Sequence, residues 1–409
     1  MPSSTPLDDR DDLAATSGRG GGLSPSAVGT GLLVALVGYA SSVAVVIQGL
    51  SAVGADTGQI TSALVAVGFS MGLAAILLAT HQRKPISVAW TTPGMALLAA
   101  TGPVAGGFPA AVGAFLTVAG LVMLTGLWTS LGRWIAAIPK PLANAMLAGI
   151  LLKLCLAPFA AIQQAPGLGL LVLAVWAVVG RVNRLYAVPA AVAVALGAMA
   201  LNPPVAGGLP ADLWPGLTLV TPVFTWEALV GIALPLFVVT MASQNIPGLA
   251  VLATFGYTPR VPPLFLATGA FSALSAPFGA PTVNLAAITA AMCAGPDADP
   301  RPERRWQAAV VGGLGYIALA ALAAVTATLV MRSPPILIEA VAGLALLGAF
   351  GGALLGAVQT EEERVPALVT LLVTASGLSF FGVGSAFWGL LFGGAMHALN
   401  RWNPRKAAR

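Results

Sequence analysis

Charge is what this chain of 409 residues has least of: Asp, Glu, Lys and Arg together make up 8%. A soluble domain carries about 25% charged residues, because water must wet its surface. That scarcity excludes a large water-exposed surface. Cysteine is nearly absent as well. Cys155 and Cys293 both sit in apolar surroundings, so no disulfide or metal framework is offered. Neither a His cluster, nor a paired-carboxylate metal motif, nor a nucleophile–base pair stands out, which argues against an enzyme and implies no cofactor. What is abundant is apolar surface: 57% hydrophobic residues and a mean hydropathy of +0.90. Gly (48) and Pro (31) are frequent too, and the apolar background turns them into packing and helix-break residues of a membrane protein rather than markers of disorder.

A helix needs about 20 apolar residues to span the hydrocarbon. Apolar stretches fall at 27–49, 58–80, 109–130, 139–158, 166–180, 187–201, 226–246, 261–276, 304–331, 335–357, 365–383 and 385–400. Two shorter ones, 91–101 and 282–294, cannot cross alone. Together they predict an all-α polytopic protein of fourteen segments. The first 26 residues are polar (Asp8, Asp9, Arg10, Asp11, Asp12, then Gly and Ser) and lack the layout of a signal peptide, so a disordered cytoplasmic tail is expected.

Basic residues test this threading. Arg10, Arg19, Arg83, Lys84, Arg133, Lys140, Arg181, Arg184, Arg260, Arg301, Arg304, Arg305, Arg364, Arg401, Arg405, Lys406 and Arg409 all fall on the side of the termini. Only Arg332 falls opposite, and Lys153 lies within a span. Short loops rich in Lys and Arg stay in the cytoplasm, so a multi-pass protein of the cell inner membrane with both termini cytoplasmic is expected. The net charge of +5 is thereby assigned to topology and not to nucleic-acid binding.

Seven segments on each side of a joint near 202–225 give two halves of opposite topology. The short stretches become the third segment of each half. Each first segment carries a polar interruption, Tyr39-Ala-Ser-Ser42 with Gln48 in one half and Ala242-Ser-Gln-Asn-Ile-Pro-Gly248 in the other. Matched interruptions recur about 190–200 residues apart, the sequence pattern of a secondary transporter with its site near the bilayer midplane. Thr91-Thr92-Pro93-Gly94 reads as a helix start, with hydroxyl caps and an early proline. Pro281-Thr282-Val283-Asn284 reads the same way. Two helix N-termini facing each other in mid-membrane would cradle an anion without Lys or Arg.

The strings Lys84-Pro-Ile-Ser-Val-Ala-Trp-Thr-Thr-Pro-Gly94, Pro141-Leu-Ala-Asn-Ala-Met-Leu-Ala-Gly149, Ala242-Ser-Gln-Asn-Ile-Pro-Gly248 and Ala276-Pro-Phe-Gly-Ala-Pro-Thr-Val-Asn-Leu-Ala-Ala-Ile-Thr289 resemble the BenE benzoate/proton symporter family over residues 27–400. The resemblance implies the seven-plus-seven inverted-repeat fold of nucleobase and sulfate/bicarbonate carriers. It implies a core of 27–130 (segments 1–4) and 226–331 (segments 8–11), and a gate of 131–201 (segments 5–7) and 332–400 (segments 12–14). An outer linker, 202–225, and a cytoplasmic tail, 401–409, complete the chain. A homodimer is expected on the same ground. Nucleobase carriers of this fold place acidic side chains on segments 8 and 10; here Ser243, Gln244, Asn245 and Asn284 occupy those neighbourhoods. Uncharged amides suit an anion, so the expected substrate is benzoate or a related aromatic carboxylate, with a proton as co-substrate. Another small anion, a nucleobase or a passive anion channel are the alternatives.

Candidate substrate residues are Gln244, Asn245, Asn284, Ser243, Thr91, Thr92, Gly94, Thr282, Gln48 and Tyr39, with Trp90 and Phe278 as aromatic walls. Each has a plainer reading as a cap, an amide bridge or packing. Ionisable groups within the spans are few: Lys153, Glu227, Glu339 and His397, all near segment ends. Glu227, opening segment 8, is the candidate for proton coupling.

Overall fold

A computed structural model describes residues 23–128, 139–201, 216–331, 335–378, 380 and 383–401. Residues 1–22 of the expected tail 1–26, residues 402–409 of the expected tail 401–409 and most of the outer linker lie outside the described residues, while Pro25 and Ser26 already belong to the first helix and Arg401 to the last.

The chain is helical almost throughout. Pro25–Ala40 (α1) and Val43–Ala52 (α2) form one span broken at Ser41-Ser42, and Thr57–Gln82 (α3) follows. Asp56 starts α3 with a reciprocal cap. Its Oδ1 accepts from Gln59 N at 2.8 Å and its own N–H donates to Gln59 Oε1 at 3.0 Å. Val88–Trp90 (β1) leads into the short Thr92–Thr101 (α4), then Gly107–Leu127 (α5), Lys140–Gln164 (α6), Pro166–Val182 (α7) and Arg184–Leu201 (α8). The second half runs Trp226–Thr254 (α9), Val261–Ser275 (α10), Val283–Leu285 (β2), Ala287–Ala294 (α11), Trp306–Ala320 (α12), Ala323–Met331 (α13), Pro335–Val358 (α14), Arg364–Ala375 (α15) and Ser385–Arg401 (α16).

Seven of the described helices are long and apolar enough to cross a membrane, and large apolar side chains such as Leu32, Leu36, Leu73, Leu77, Phe159 and Leu355 remain exposed on the outside. A molecule whose outer face is leucine and phenylalanine is solvated by lipid.

With lipid outside, helices gain little from hiding leucine and associate by close packing of small residues. The α3–α12 contact shows this. A Cβ on Gly72 would stand 2.5 Å from the Gly313 carbonyl, and one on Gly313 would stand 2.7 Å from the Gly72 carbonyl. α3, α12, α1, α10 and α5 pack in one group, and α6, α14, α15 and α16 pack in another. In the second group Gly149 of α6 lets Thr374 of α15 approach, and Gly389 and Gly393 of α16 receive Thr374 and Thr370.

The structure corrects three expectations. Pro281-Thr282-Val283-Asn284 does not start a helix: residues 283–285 are extended in β2, and α11 begins at Ala287. The interruption of segment 8 is no break either. α9 is continuous, and the polar residues lie in a π-helical turn, Met241–Asn245, with a second π turn at Leu229–Ala233. Segment 11 is divided instead, between Ala320 and Ala323.

Candidate functional site

β1 and β2 pair antiparallel, with Val88 opposite Leu285, Ala89 opposite Asn284 and Trp90 opposite Val283. Each strand delivers the chain to a short helix, α4 or α11. A two-stranded ribbon buried among helices has edges whose N–H groups water cannot reach. Side chains from neighbouring helices serve the β2 edge. Val283 N donates to Ser272 Oγ of α10 at 2.9 Å, and Leu285 N donates to Asn245 Oδ1 of α9 at 2.9 Å. Pairing continues past the ladder, where Ala286 N donates to the Ser87 carbonyl at 3.1 Å and the Ser87 and Thr289 hydroxyls lie 2.8 Å apart.

Alternate residues of a strand point to opposite faces, so the candidates divide. On one side Trp90 meets the break between α1 and α2. Its Nε1 donates to Ser42 Oγ at 2.8 Å, Ser42 Oγ donates to the Gly38 carbonyl at 2.8 Å, and the Tyr39 ring lies 5.3 Å away, tilted by 50°. On the other side Thr91 faces α9. Thr91 Oγ1 accepts from Gly94 N at 3.2 Å, capping α4, and from Thr240 Oγ1 at 3.1 Å. Gly94 is required here for space: a Cβ would collide with Leu236 of α9 and with Thr91 itself.

Several buried polar atoms on the elements around the ribbon and α4 have no hydrogen-bond partner among the described residues. Tyr39 Oη, Gln48 Oε1, Thr282 Oγ1 and Asn284 Oδ1 are buried without a hydrogen bond, while Asn284 Nδ2 donates to the Leu285 carbonyl at 2.7 Å. Buried polar atoms are normally satisfied, and those that are not are available to a ligand. Gln244 is partly buried in the π turn, and its amide makes no hydrogen bond among the described residues. Single π turns of this kind occur often at functional sites. Ser243 next to it is committed to the Val239 carbonyl at 2.6 Å. Thr92, at the first position of α4, is partly buried. The N-cap of α11, Ala286, carries no side-chain acceptor, so the first N–H groups of α11 have no capping partner from it. The ensemble is neutral and mixed: the unpaired Gln48 and Asn284 atoms are acceptor oxygens, the Tyr39 and Thr282 atoms are hydroxyls, and the start of α11 adds N–H groups with a partial positive charge.

Two candidates lie elsewhere. Phe278 lines a groove with Phe69, Leu73 and Leu274 on the outside of the α3–α10 seam. Glu227, in the first turn of α9, lines a separate cavity of about 190 Å³ with Thr101, Thr374 and Ser385, where it is the one charged lining residue among the described residues. Asn245 is present but occupied, since its Oδ1 serves Leu285 and its Nδ2 rests 3.2 Å from Met241 Sδ. Sequence reasoning passed over Ser87, Thr240, Ser272 and Thr289. Single hydroxyls in apolar helices carry no pattern; Ser87 and Thr289 lay within strings already singled out, but nothing in those strings marked them as partners.

The fold that carries this ribbon between two short helices has counterparts in a class of solved membrane proteins. The fold matches the transmembrane domain of a cyanobacterial bicarbonate transporter, BicA, with a TM-score of 0.61 and 14% identity, covering 90% of this chain and 97% of that one. It matches SLC26A9 with a TM-score of 0.62 and 13% identity, covering 91% and 64%. Within that class the sequence is specific: residues 21–399 match the family described as BenE, benzoate membrane transport protein, and the chain belongs to that family. It is 41% identical over 379 residues to the inner membrane protein YdcO of Escherichia coli K12, covering 92% of this chain and 96% of that protein. It is 31% identical over 373 residues to the benzoate membrane transport protein of Acinetobacter baylyi, covering 90% and 93%.

Proposed function

We propose that this protein imports benzoate or a close aromatic carboxylate across the inner membrane by proton symport with alternating access. The observation that carries the reading is the set of uncharged, unpaired polar groups buried beside the uncapped start of α11. A carboxylate there would accept from the N–H groups opening α11 and from the Thr282 hydroxyl. It would also accept from the amides of Gln48, Gln244 and Asn284, once each turns its NH₂ toward the anion. No carboxylate stands among these groups to repel it. The Tyr39–Trp90 pair offers an aromatic wall for the ring. Asn245, Thr91 and Gly94 act as positioning residues, holding the ribbon and the start of α4.

The inverted repeat of fourteen segments belongs to the same proposal, as do cytoplasmic termini and a homodimer. The two helix groups are assigned as core (α1–α5, α9–α13) and gate (α6–α8, α14–α16). α4 packs on α6 across that division, whereas the main neighbours of α11 are α9, α1 and α12. Ile288 on α11 is 76% exposed. These contacts support an inward-facing conformation, closed beside α4 and open beside α11.

A negative-inside potential opposes anion entry by about 2.3 kcal/mol per charge per 100 mV, and a proton travelling with the anion removes that cost. Glu227 is assigned to the proton. It lines the outer cavity shared by α4 and α9 of the core with α6, α15 and α16 of the gate. An ionised carboxylate there would repel an incoming anion, and a protonated one would not.

Ligand binding to the purified protein tests the site. Quenching of tryptophan fluorescence should saturate with benzoate and not with uracil. Gln244→Ala and Asn284→Ala should each weaken it about tenfold, the loss of one hydrogen bond to a charged group at about 1.5 kcal/mol. Tighter binding of uracil, or unchanged benzoate binding in both variants, would overturn the assignment.

A further inference from the structure

The seam between α3 and α10 carries two cavities that transport does not use. At the Lys- and Arg-rich end, a cavity of about 320 Å³ is lined by His81, Gln82, Lys84, Arg260 and Pro263. Further along the same helix pair lies the groove of about 340 Å³ that holds Phe69, Leu73, Leu274 and Phe278.

Three basic side chains meet at the first cavity, and among the described residues no acidic one lines it. Other basic residues of this region are engaged: Arg83 lies 4.7 Å over the Trp306 ring, Arg301 pairs with Asp299, and Arg305 Nη1 donates to the Ala294 carbonyl at 2.8 Å. Lys84 spends one donor on the Thr258 carbonyl. The side chains of His81 and Arg260 have no hydrogen-bond or ion-pair partner among the described residues. Their frame is braced, because Arg260 N donates to Gln82 Oε1 at 2.8 Å and Gln82 Nε2 donates back to the Arg260 carbonyl at 3.3 Å. A cationic cavity between helices at the membrane surface complements an anionic headgroup.

The ligand also needs a tail. Phe69, Leu73 and Leu77 precede His81 at intervals of four, on one face of α3, and are 44%, 45% and 51% exposed. From His81 to Phe69 is about 18 Å along the helix at 1.5 Å per residue. An acyl chain spans that distance from the headgroup level toward the middle of a core about 30 Å thick. A free phosphate would occupy the cationic cavity alone, whereas a phospholipid fills both that cavity and the groove along the same helix pair.

We propose that the α3–α10 seam binds an anionic phospholipid of the cytoplasmic leaflet. Its phosphate sits among His81, Lys84 and Arg260, and an acyl chain runs along Leu77, Leu73 and Phe69 into the groove. The site stands independently of what the protein transports.

Thermal unfolding of the detergent-solubilised full chain tests it, with phosphatidylglycerol, phosphatidylcholine and inorganic phosphate as probes. Phosphatidylglycerol should raise the melting midpoint above that in equal phosphatidylcholine, and inorganic phosphate should not reproduce the rise. The triple variant His81→Gln/Lys84→Gln/Arg260→Gln should keep the wild-type midpoint in phosphatidylcholine and lose the added rise. Its affinity for phosphatidylglycerol should fall on the order of 30-fold, the weight of the Lys84 and Arg260 charges near a membrane surface. If that variant does not fold, Arg260→Gln alone should retain less phosphatidylglycerol per chain by native mass spectrometry. Equal effects of the two lipids, a full effect of inorganic phosphate, or a lipid-specific rise persisting in the variants would overturn the proposal.

Discussion

The Leu285 N–H donates to Asn245 Oδ1 across 2.9 Å, tying the edge of the buried ribbon to the π turn of α9. Removing that acceptor leaves a buried donor unpaired, at a cost of about 1–3 kcal/mol. Asn245→Ala should therefore lower the melting midpoint and abolish transport together. Asn245→Asp keeps the acceptor while adding a negative charge beside the proposed anion site. It should fold and bind benzoate poorly. Scanning fluorimetry and ligand titration on the two variants separate these effects.

Trp90 and Ser42 should show a coupled cost. Ser42→Ala strands the buried indole N–H, again about 1–3 kcal/mol. Trp90→Phe removes the donor, so adding Ser42→Ala to Trp90→Phe should cost much less than Ser42→Ala alone. A double-mutant cycle of denaturation free energies measures the difference. Additive effects would show that the 2.8 Å bond carries nothing.

Gly49 is required by a close approach. A Cβ there would lie 2.5 Å from the Met95 carbonyl, forcing α2 away from α4. Gly49→Ala should destabilise by about 1–3 kcal/mol through overpacking. Gly120→Ala, on α5 with nothing within 4 Å of the added carbon, should be neutral or stabilising by up to ~1 kcal/mol. Melting midpoints of the pair provide the comparison.

Asp299, in the loop after α11, makes stability depend on acid. Burial raises its pKa, but the Arg301 N–H, Ser24 and the charges of Arg301 and Arg304 outweigh burial and hold it below the usual 3.8. A carboxyl whose pKa is depressed on folding contributes fully above its unfolded value, and the contribution vanishes as pH falls through the folded value. The wild-type midpoint should drop more steeply than that of Asp299→Asn below about pH 4. At neutral pH the variant should already be the less stable of the two.

Most helix boundaries were legible because lipid demands long apolar runs. Thr91-Thr92-Pro93-Gly94 was legible as a helix start because its caps are local: the Thr91 hydroxyl accepts from Gly94 N within one turn. Pro281-Thr282-Val283-Asn284 misled because its conformation is fixed by partners far away in sequence, as with Ser87 and Thr289, 202 residues apart. Nothing local tells an extended segment that β1 and Asn245 will receive its hydrogen bonds. The π turn at Met241–Asn245 shows the same limit. Its polar residues announced an irregularity, and only the packing of α9 against the ribbon decided that the helix would bulge rather than break.

Uptake of labelled benzoate into proteoliposomes, with and without an inward proton gradient, tests the central claim most directly. Protein-free liposomes must be run alongside, because benzoic acid itself crosses lipid. The account predicts gradient-driven accumulation above the protein-free level, lost in Asn284→Ala. In Glu227→Gln it predicts uptake that no longer responds to external pH. Protein-dependent benzoate uptake that ignores the proton gradient, or none under any gradient, would contradict it.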